Sequence, residues 1–299
     1  MSDRLAHPAY LPFLPIIFIF IWSTGYVVAK LGVPYAEPLT FLSMRYLGVI
    51  IFMGIWAYFA KARWPARASW LPIAFAGVLI QAMYLGGVWC AVKMGMPAGL
   101  AALIVNTQPI LTALFSHSVG EKIPPRAWLG LLLGMLGVGL VVANKINVVG
   151  LSGWSVVLAL MALLAMTTGT LYQKKKCPHF DVRTGQVIQF VASLLVTIPF
   201  ALVFETQHVI WSARFFAAMA WSIFVLSGVG ISVLFIMIRH GEATKVTSYM
   251  YLVPAVTAGL AWLMFDERFT PLAIVGMLIA LLGVALVVKP SQTARADAA

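Results

Sequence analysis

The sequence predicts an all-α polytopic membrane protein with ten transmembrane helices. Three observations predict this fold class: an apolar composition, ten apolar segments of spanning length, and a long internal repeat. Of the 299 residues, 62% are hydrophobic and 10% are charged, whereas a soluble domain has roughly 45–50% apolar and about 25% charged residues. We expect the helices to form a 5+5 inverted-topology repeat with both termini in the cytoplasm.

Ten segments are long enough to cross a bilayer, which takes about 20 apolar residues in a helix. The connections between them are short and hold most of the charged residues. The first segment lacks the small-residue cleavage site of a secretory signal, so we interpret it as a span. Residues 290–299 are small and polar and are expected to be disordered. The predicted spans are 12–31, 39–60, 70–92, 97–117, 127–143, 153–172, 184–204, 215–238, 244–265 and 271–288.

Sequence patterns from the first half of the chain recur in the second half. A Pro-x-x-Thr-Ala pattern that begins at Pro109 begins again at Pro254, and the glycines Gly130 and Gly276 are separated by 146 positions, an offset that holds over the last span of each half. A long repeat with a fixed offset indicates duplication of one structural unit. We predict two five-helix domains, 12–143 and 153–288.

Five spans per copy is an odd number, so the second copy must enter the membrane upside down relative to the first. Inverted-topology repeats are common in secondary transporters, where the halves rock around a central site. The alternative is a duplication kept only for folding.

Lysine and arginine are distributed unequally between the two sides of the membrane. With the N-terminus inside, fourteen of the twenty fall in cytoplasmic segments, five in outer segments and one, Arg45, inside a span. Positive residues favour the cytoplasmic side, so both termini are predicted to be cytoplasmic. The net charge of +11 follows from these short loops and does not indicate a nucleic-acid partner.

Two motifs occur once in each half. The Pro-x-x-Thr-Ala pattern is followed by Glu and a basic residue, and then by a helix of the form Gly-x6-Gly-Val-x-Leu-Val-Val at 130–142 and 276–288. This pattern resembles the EamA branch of the drug/metabolite transporter superfamily, and the chain as a whole is similar to the YddG-type exporters of aromatic amino acids. The resemblance implies a basket of ten helices, a central cavity and outward movement of amino acids or related metabolites. It extends to members that export methyl viologen.

Arg45 is the only Lys, Arg, Asp or Glu well inside a predicted span. A buried arginine costs about 2.5–3.5 kcal/mol at mid-membrane on insertion scales, so it needs a partner, a wet cavity or a route to the interface. One interpretation is a structural arginine bonded to backbone carbonyls or reaching the interface. The other is a clamp for a substrate carboxylate.

The fourth span contains a polar run, Asn106, Thr107 and Gln108, immediately before Pro109. Consecutive polar side chains cannot all face lipid, and a proline removes a backbone hydrogen bond and kinks the helix. We predict that this segment lines a transport site, with a corresponding kink at Pro254. The alternative is hydrogen bonding between helices.

Several aromatic residues lie away from the predicted interfaces. Hydroxyl and indole groups in a bilayer need polar partners, so these rings are expected to face protein or water. An aromatic cavity suits a flat apolar or cationic substrate, although each ring could also belong to the packed core. The predicted substrate-binding residues are Trp22, Tyr26, Arg45, Gln81, Tyr84, Asn106, Gln108, Tyr172, Tyr249 and Tyr251.

The fifth and tenth spans carry faces of small residues, Gly130 with Gly134 and Gly276 with Ala280. Small residues let helices approach closely. We expect these faces to pack the two spans together behind the cavity, and a homodimer contact is the alternative.

All nine acidic residues fall in termini, loops or span ends, and the five histidines do not replace them at mid-membrane. Proton-coupled carriers place titratable groups within spans, so we predict facilitated flux, with sodium coupling left open. The sequence contains no Walker motif and no cofactor, metal or nucleophile pattern, so it does not indicate an enzyme.

The predicted function is export of small amphipathic metabolites, aromatic amino acids first, across the inner membrane by alternating access. Two alternatives remain: a carrier of another metabolite class such as nucleotide sugars, and a non-transporting membrane assembly protein. A doubly charged substrate should need more than one intramembrane cation, which favours an amino acid.

Overall fold

In the computed structural model of the chain, helices make up most of the described residues, and short non-helical loops connect them. The described residues are 13–96, 101, 104–116, 120, 123–142, 152–177, 180–240, 243–253, 255–256, 259–260, 263 and 270–288. Within these ranges the one β feature is an isolated antiparallel bridge between Ala36 and Val209.

Most of the helices begin and end close to the bounds of a predicted span, and the two short ones cover only part of the predicted fourth and ninth spans. A short 3-10 turn, Val33–Tyr35, joins the first two helices, and another, Tyr249–Leu252, follows the ninth. The helices are α1 (Leu14–Gly32), α2 (Pro38–Phe59), α3 (Arg67–Lys93), α4 (Gln108–Phe115), α5 (Pro125–Val142), α6 (Gly153–Lys176), α7 (Val182–Phe204), α8 (Ala213–His240), α9 (Ala243–Ser248) and α10 (Pro271–Val288).

Six of these helices, α2, α3, α6, α7, α8 and α10, are long and apolar enough to cross a membrane, and two shorter apolar helices lie at Leu14–Gly25 and Pro125–Leu140. Large apolar side chains such as Tyr58, Leu71 and Val203 are 72–80% exposed, as expected of a surface that contacts lipid. The prediction of an all-helical polytopic membrane protein is confirmed. The segments predicted as the fourth and ninth spans are described only in part.

α6 extends four residues beyond its predicted end at residue 172, through Lys174, Lys175 and Lys176. The predicted span stopped before the polar run that begins at Gln173. Cationic side chains are favourable in the last turn of a helix, where they meet the negative end of its dipole.

α5 and α10 pack backbone against backbone. A Cβ atom at Gly137 would lie 2.4 Å from the backbone nitrogen of Ala280, and one at Gly283 would lie 2.5 Å from that of Gly134. The glycine faces of these helices therefore meet within one chain, as the packing interpretation predicted. A dimer through the same faces, Gly130/Gly134 and Gly276/Ala280, would require this pair to separate, and association of two chains stays a prediction.

α3 and α8 each contain a π-helical segment, Val78–Met83 in α3 and Trp221–Ile231 in α8. Adding the repeat offset of 146 to 78–83 gives 224–229, which lies within the second segment. π-helical turns are rare and are frequent at functional sites. The offset of the predicted repeat therefore places the first π segment within the second.

Candidate functional site

A cavity of about 590 Å³ lies between α1, α2, α3 and α8. Its wall includes side chains from both halves of the chain and from the loops at one end of the helices. The residues used below are Trp22, Arg45, Gln81, Tyr84, Trp89, Lys93, Glu37, Ser222 and Thr206.

Arg45 is the positive charge in the deep part of the wall. Its residue is 5% exposed, and its Nε donates a hydrogen bond to the Ser227 Oγ at 2.9 Å. No carboxylate of the described residues lies within ion-pair distance of its guanidinium. The remaining guanidinium N–H groups therefore form a donor set beside the cavity, with no anion of the described protein to occupy them.

Gln81 lies in the π segment of α3, next to the same cavity. Its backbone oxygen accepts a hydrogen bond from the hydroxyl of Tyr46 at 2.8 Å. Its side chain is fully buried, and neither amide atom has a hydrogen-bond partner among the described residues. The hydroxyl of Ser222, in the π segment of α8, is buried and unpaired in the same sense.

Arg45 and Tyr46 are consecutive residues of α2 that contact the two π segments. Arg45 reaches Ser227 in α8, and Tyr46 reaches Gln81 in α3. Gln81 and Ser227 are themselves 146 positions apart. α2 is therefore joined by hydrogen bonds to both π segments.

Aromatic rings form much of the remaining wall. Trp22 lies with its ring centroid 5.0 Å from that of Phe18, and Trp89 stacks on Phe41 at 5.3 Å. These contacts fix the indoles in the wall. Flat aromatic surfaces of this kind can stack with a planar apolar group or hold a cation.

The wall reaches one end of the helices, where Glu37 and Lys93 form an ion pair. The Thr206 hydroxyl donates to the second Glu37 oxygen at 2.9 Å. The hydrogen bond from Lys93 does most to hold the pKa of Glu37 at about 2, below its ordinary value of 4.5. Glu37 is therefore ionised at neutral pH and already paired.

Glu205 joins the same end to the start of α2. Its carboxylate accepts hydrogen bonds from the backbone nitrogens of Leu39 at 2.8 Å and Thr40 at 2.7 Å and from the Thr40 hydroxyl at 2.8 Å. An anion at a helix N-terminus satisfies otherwise unpaired N–H groups and opposes the helix dipole favourably. Lys93 Nζ lies 4.0 Å from Glu205. We call Glu37, Lys93, Glu205 and Thr206 the loop clasp, since they connect the loops of the two halves.

The structure brings four of the predicted substrate-binding residues together in this wall: Trp22, Arg45, Gln81 and Tyr84. Asn106 and Gln108 do not line it, although Ala101 and Val105 of the same segment do. The helical pattern is interrupted at Asn106 and Thr107 and resumes at Gln108, with Pro109 in its first turn. The Nε2 of Gln108 then lies 3.5 Å from the Thr170 hydroxyl, against α6.

The predicted tyrosines of the second half also lie elsewhere. Tyr172 packs edge-on against Phe75 at 5.0 Å, between α3 and α6. Tyr251 is fully buried against Gly134 in the interface of α5 and α10, and Tyr249 is half-buried beside it. Their part in substrate binding stays a prediction, as does that of the Tyr26 side chain and of Pro254, which lie outside the described residues.

The structure adds residues that were absent from the predicted set. Trp89 carries a sequence signal, because it lies in the same span as Gln81 and Tyr84. Ser222 and Ser227 carry none, since serine is common in membrane helices. The loop clasp depends on residues more than 160 positions apart, as between Glu37 and Thr206. Among the residues that the structure describes, no group of His, Cys, Asp and Glu could hold a metal ion.

Two halves that enclose a cavity of polar and aromatic side chains are an architecture typical of helical membrane transporters. The sequence profile of the EamA-like transporter family matches residues 11–143 and again 153–289. The chain belongs to the EamA-like transporter family. It is a multi-pass transporter of the inner membrane and not an enzyme.

The curated relatives are distant in sequence, but the similarity covers most of this chain and most of each relative. The chain is 27% identical to the uncharacterized transporter YvbV of Bacillus subtilis, over 94% of this chain and 92% of YvbV. It is 25% identical to the uncharacterized inner membrane transporter YedA of Escherichia coli, over 79% and 76%. It is 24% identical to an Escherichia coli protein named "Probable amino-acid metabolite efflux pump", over 90% and 92%.

One solved crystal structure has the same fold. It superposes with a TM-score of 0.80 at 16% identity, over 98% of this chain and 100% of the other. At this identity the likeness concerns the fold alone.

Proposed function

We propose that the protein exports amino acids or closely related metabolites, with aromatic amino acids first, by alternating access to the cavity beside Arg45. One observation carries the proposal. A buried arginine with one protein partner, Ser227, borders a cavity walled by tryptophan and tyrosine. The cavity thus offers a charged group for a carboxylate and flat rings for an aromatic side chain.

Arg45 is chemically suited to a carboxylate. Its guanidinium presents N–H groups in a planar fork that matches the two oxygens of a carboxylate. Keeping an unpaired charge in a membrane helix is costly, and a carboxylate ligand would offset that cost during each transport cycle. The free N–H groups of Arg45 distinguish this role from a structural one, because the donors of a structural arginine are bonded to protein carbonyls.

The sequence repeat supports a two-domain mechanism. One family profile matches both halves, and the π segments recur at the repeat offset. With ten spans, an inverted second half and cytoplasmic termini, the loop clasp faces the cell exterior. Rocking of the halves would then open the cavity to one side at a time.

The name of the efflux-pump relative supports amino-acid metabolites as the substrate class. The similarity to YddG-type exporters narrows this class to aromatic amino acids. A nucleotide sugar is less favoured, because its two phosphate charges need two free cations. The cavity has Arg45 and Lys93, and Lys93 is already paired with Glu37.

The test is flux of labelled phenylalanine into proteoliposomes that contain the purified protein, without an ion gradient. Saturable flux that tryptophan inhibits is the expected result. Arg45→Gln should abolish it, and Arg45→Lys should restore part of it, since the charge returns without the fork. Absence of flux in wild-type protein, with or without ion gradients, would exclude this substrate class.

Cysteine labelling distinguishes a transporter from a membrane protein that does not transport. A cysteine introduced at Tyr84 should react with a water-soluble maleimide if the cavity is reached by water during a transport cycle. Excess phenylalanine should slow that reaction. A cysteine at Ala66, exposed in the loop just before α3, is the control that should react but that phenylalanine should not protect.

A further inference from the structure

Gln81 is a buried amide that the protein leaves without hydrogen bonds among the described residues. Burial of an unpaired amide is unfavourable, because the group gives up its hydrogen bonds with water. Such groups are rare in folded proteins, and each calls for a specific reason. Gln81 borders the cavity, and its amide atoms are covered in this structure, so a molecule in the cavity can supply the missing partners once the side chain turns toward it.

The backbone around Gln81 is held firmly in place. The Tyr46 hydroxyl binds its backbone oxygen at 2.8 Å. The adjacent residue Ile80 is 1% exposed and packs so closely on α6 that a Cβ atom at Gly169 would lie 2.7 Å from its side chain. The position of the amide at the cavity wall is therefore fixed by the fold, and only its own torsions are free to adjust.

The charges around the cavity bear on how the ammonium group of an amino acid could be bound. An α-amino acid carries a carboxylate and, on the adjacent carbon, an ammonium group that donates hydrogen bonds. Glu37 is the one carboxylate in the described wall, and it is paired with Lys93 and Thr206. The groups left for the ammonium are therefore neutral acceptors and the faces of the aromatic rings.

We propose that Gln81 determines specificity for the α-amino group, with Ser222 as a second neutral acceptor. The proposal rests on the proposed function, since it concerns the head group whose carboxylate Arg45 binds. The Gln81 Oε1 accepts from the ammonium group, and the Nε2 donates toward the carboxylate. One planar amide thus matches both parts of an α-amino acid head group.

This arrangement rejects carboxylates that lack the amino group. A deaminated acid still binds Arg45, but it leaves the Gln81 oxygen buried and unpaired. Sites built to bind an N–H group discriminate strongly against analogues that lack it, because the protein's own polar group is then left without a partner. The cavity should therefore select amino acids over aromatic acids of the same shape.

The experiment compares the dissociation constants of L-phenylalanine and 3-phenylpropionate, which differ by the α-amino group. Both are measured by titration calorimetry on detergent-purified protein. We expect the wild type to bind phenylalanine about tenfold more tightly or better. Gln81→Met has a similar volume and no hydrogen bonds. It should lower the ratio severalfold, because phenylalanine loses the acceptor for its ammonium group as well as the donor toward its carboxylate, whereas 3-phenylpropionate loses the donor alone.

The matched control is Gln186→Met. Gln186 is also a fully buried glutamine with an unpaired Oε1, but its Nε2 binds Ser232 and it does not border the cavity. Its ratio should equal that of the wild type. Ser222→Ala should lower the ratio by an intermediate factor.

Two results would overturn the inference while leaving the proposed function standing: a wild-type ratio near one, or a wild-type ratio that persists in Gln81→Met. The first result is measured on the wild type, so the proposal can be tested even if Gln81→Met does not fold. If the wild type binds neither compound, the proposed substrate class is wrong, and the inference falls with it.

Discussion

The Nε of Arg45 donates a hydrogen bond to the Ser227 Oγ at 2.9 Å, and these two residues belong to different halves of the chain. The serine leaves the ends of the guanidinium free while fixing its plane. A carboxylate that enters the cavity would then meet an arginine already oriented for it. Preorganisation of this kind reduces the cost of ordering a side chain on binding.

Removal of the Ser227 hydroxyl should weaken substrate binding without abolishing it. In Ser227→Ala, Arg45 keeps its charge but loses the bond that orients it, so we expect a rise in Kd of about three- to tenfold. The measurement is the Kd of phenylalanine for the purified variant. Ser193→Ala is a suitable control, because that hydroxyl binds the Gln189 backbone oxygen within α7 and lies away from the cavity.

Gly137→Ala should destabilise the protein. Its new Cβ would lie 2.4 Å from a backbone nitrogen of α10, and overpacking against backbone costs about 1–3 kcal/mol. Gly139→Ala lies in the same helix, where a Cβ meets nothing within 4 Å, and it should be neutral or stabilising because alanine favours helix. Thermal unfolding in detergent measures both. Equal midpoints for the two variants would contradict the close contact of α5 and α10.

The loop clasp should lose stability only in strong acid. The pKa of Glu37 is about 2 in the folded protein and 4.5 ordinarily. A lowered folded pKa contributes stability above the unfolded value, and that contribution is lost as the pH falls from about 4.5 to about 2. Glu37→Gln should therefore lower the melting temperature at pH 7 by a margin that shrinks across this range. A margin independent of pH would mean that the ion pair contributes nothing.

Glu205→Ala should destabilise the start of α2. The carboxylate serves three hydrogen-bond donors of Leu39 and Thr40, and loss of a helix cap costs about 0.5–2 kcal/mol. The effect should appear as faster hydrogen exchange at the first amides of α2, measured by mass spectrometry. Asp181→Ala, which removes the cap of α7 at Arg183, is the control and should leave the α2 amides unchanged.

A pH gradient alone should not drive accumulation of phenylalanine in proteoliposomes. Glu37 is the only carboxylate in the described cavity wall, and with a pKa of about 2 it stays ionised at neutral pH. It therefore has no proton to exchange during a cycle. Accumulation driven by a pH gradient and abolished by a protonophore would contradict this prediction.

The long apolar helices and the buried charge of Arg45 could be identified from the sequence, because both signals are local. Spans are defined by about 20 consecutive apolar residues, and Arg45 interrupts such a run. Lining residues depend instead on how each helix is rotated. Tyr251 and Tyr84 are alike in sequence terms, yet one packs against Gly134 and the other faces the cavity.

Partners that are distant in the chain could not be predicted in the same way. Ser227 is 182 positions from Arg45, and one serine among many in apolar helices gives no indication of its role. The π segments leave no trace in hydropathy, since an i→i+5 turn and an i→i+4 turn have the same composition. The unpaired state of Gln81 follows from its surroundings rather than from its own identity.

The π segment Val78–Met83 determines the direction in which the second half of α3 faces. A π turn holds one more residue than the α turn it replaces. If the same residues formed a regular α-helix instead, every residue after the segment would be rotated by about 100° about the helix axis, and Tyr84, Trp89 and Lys93 would turn with it. The orientation of the second half of α3 toward the cavity therefore depends on the hydrogen-bonding pattern of the backbone at Val78–Met83.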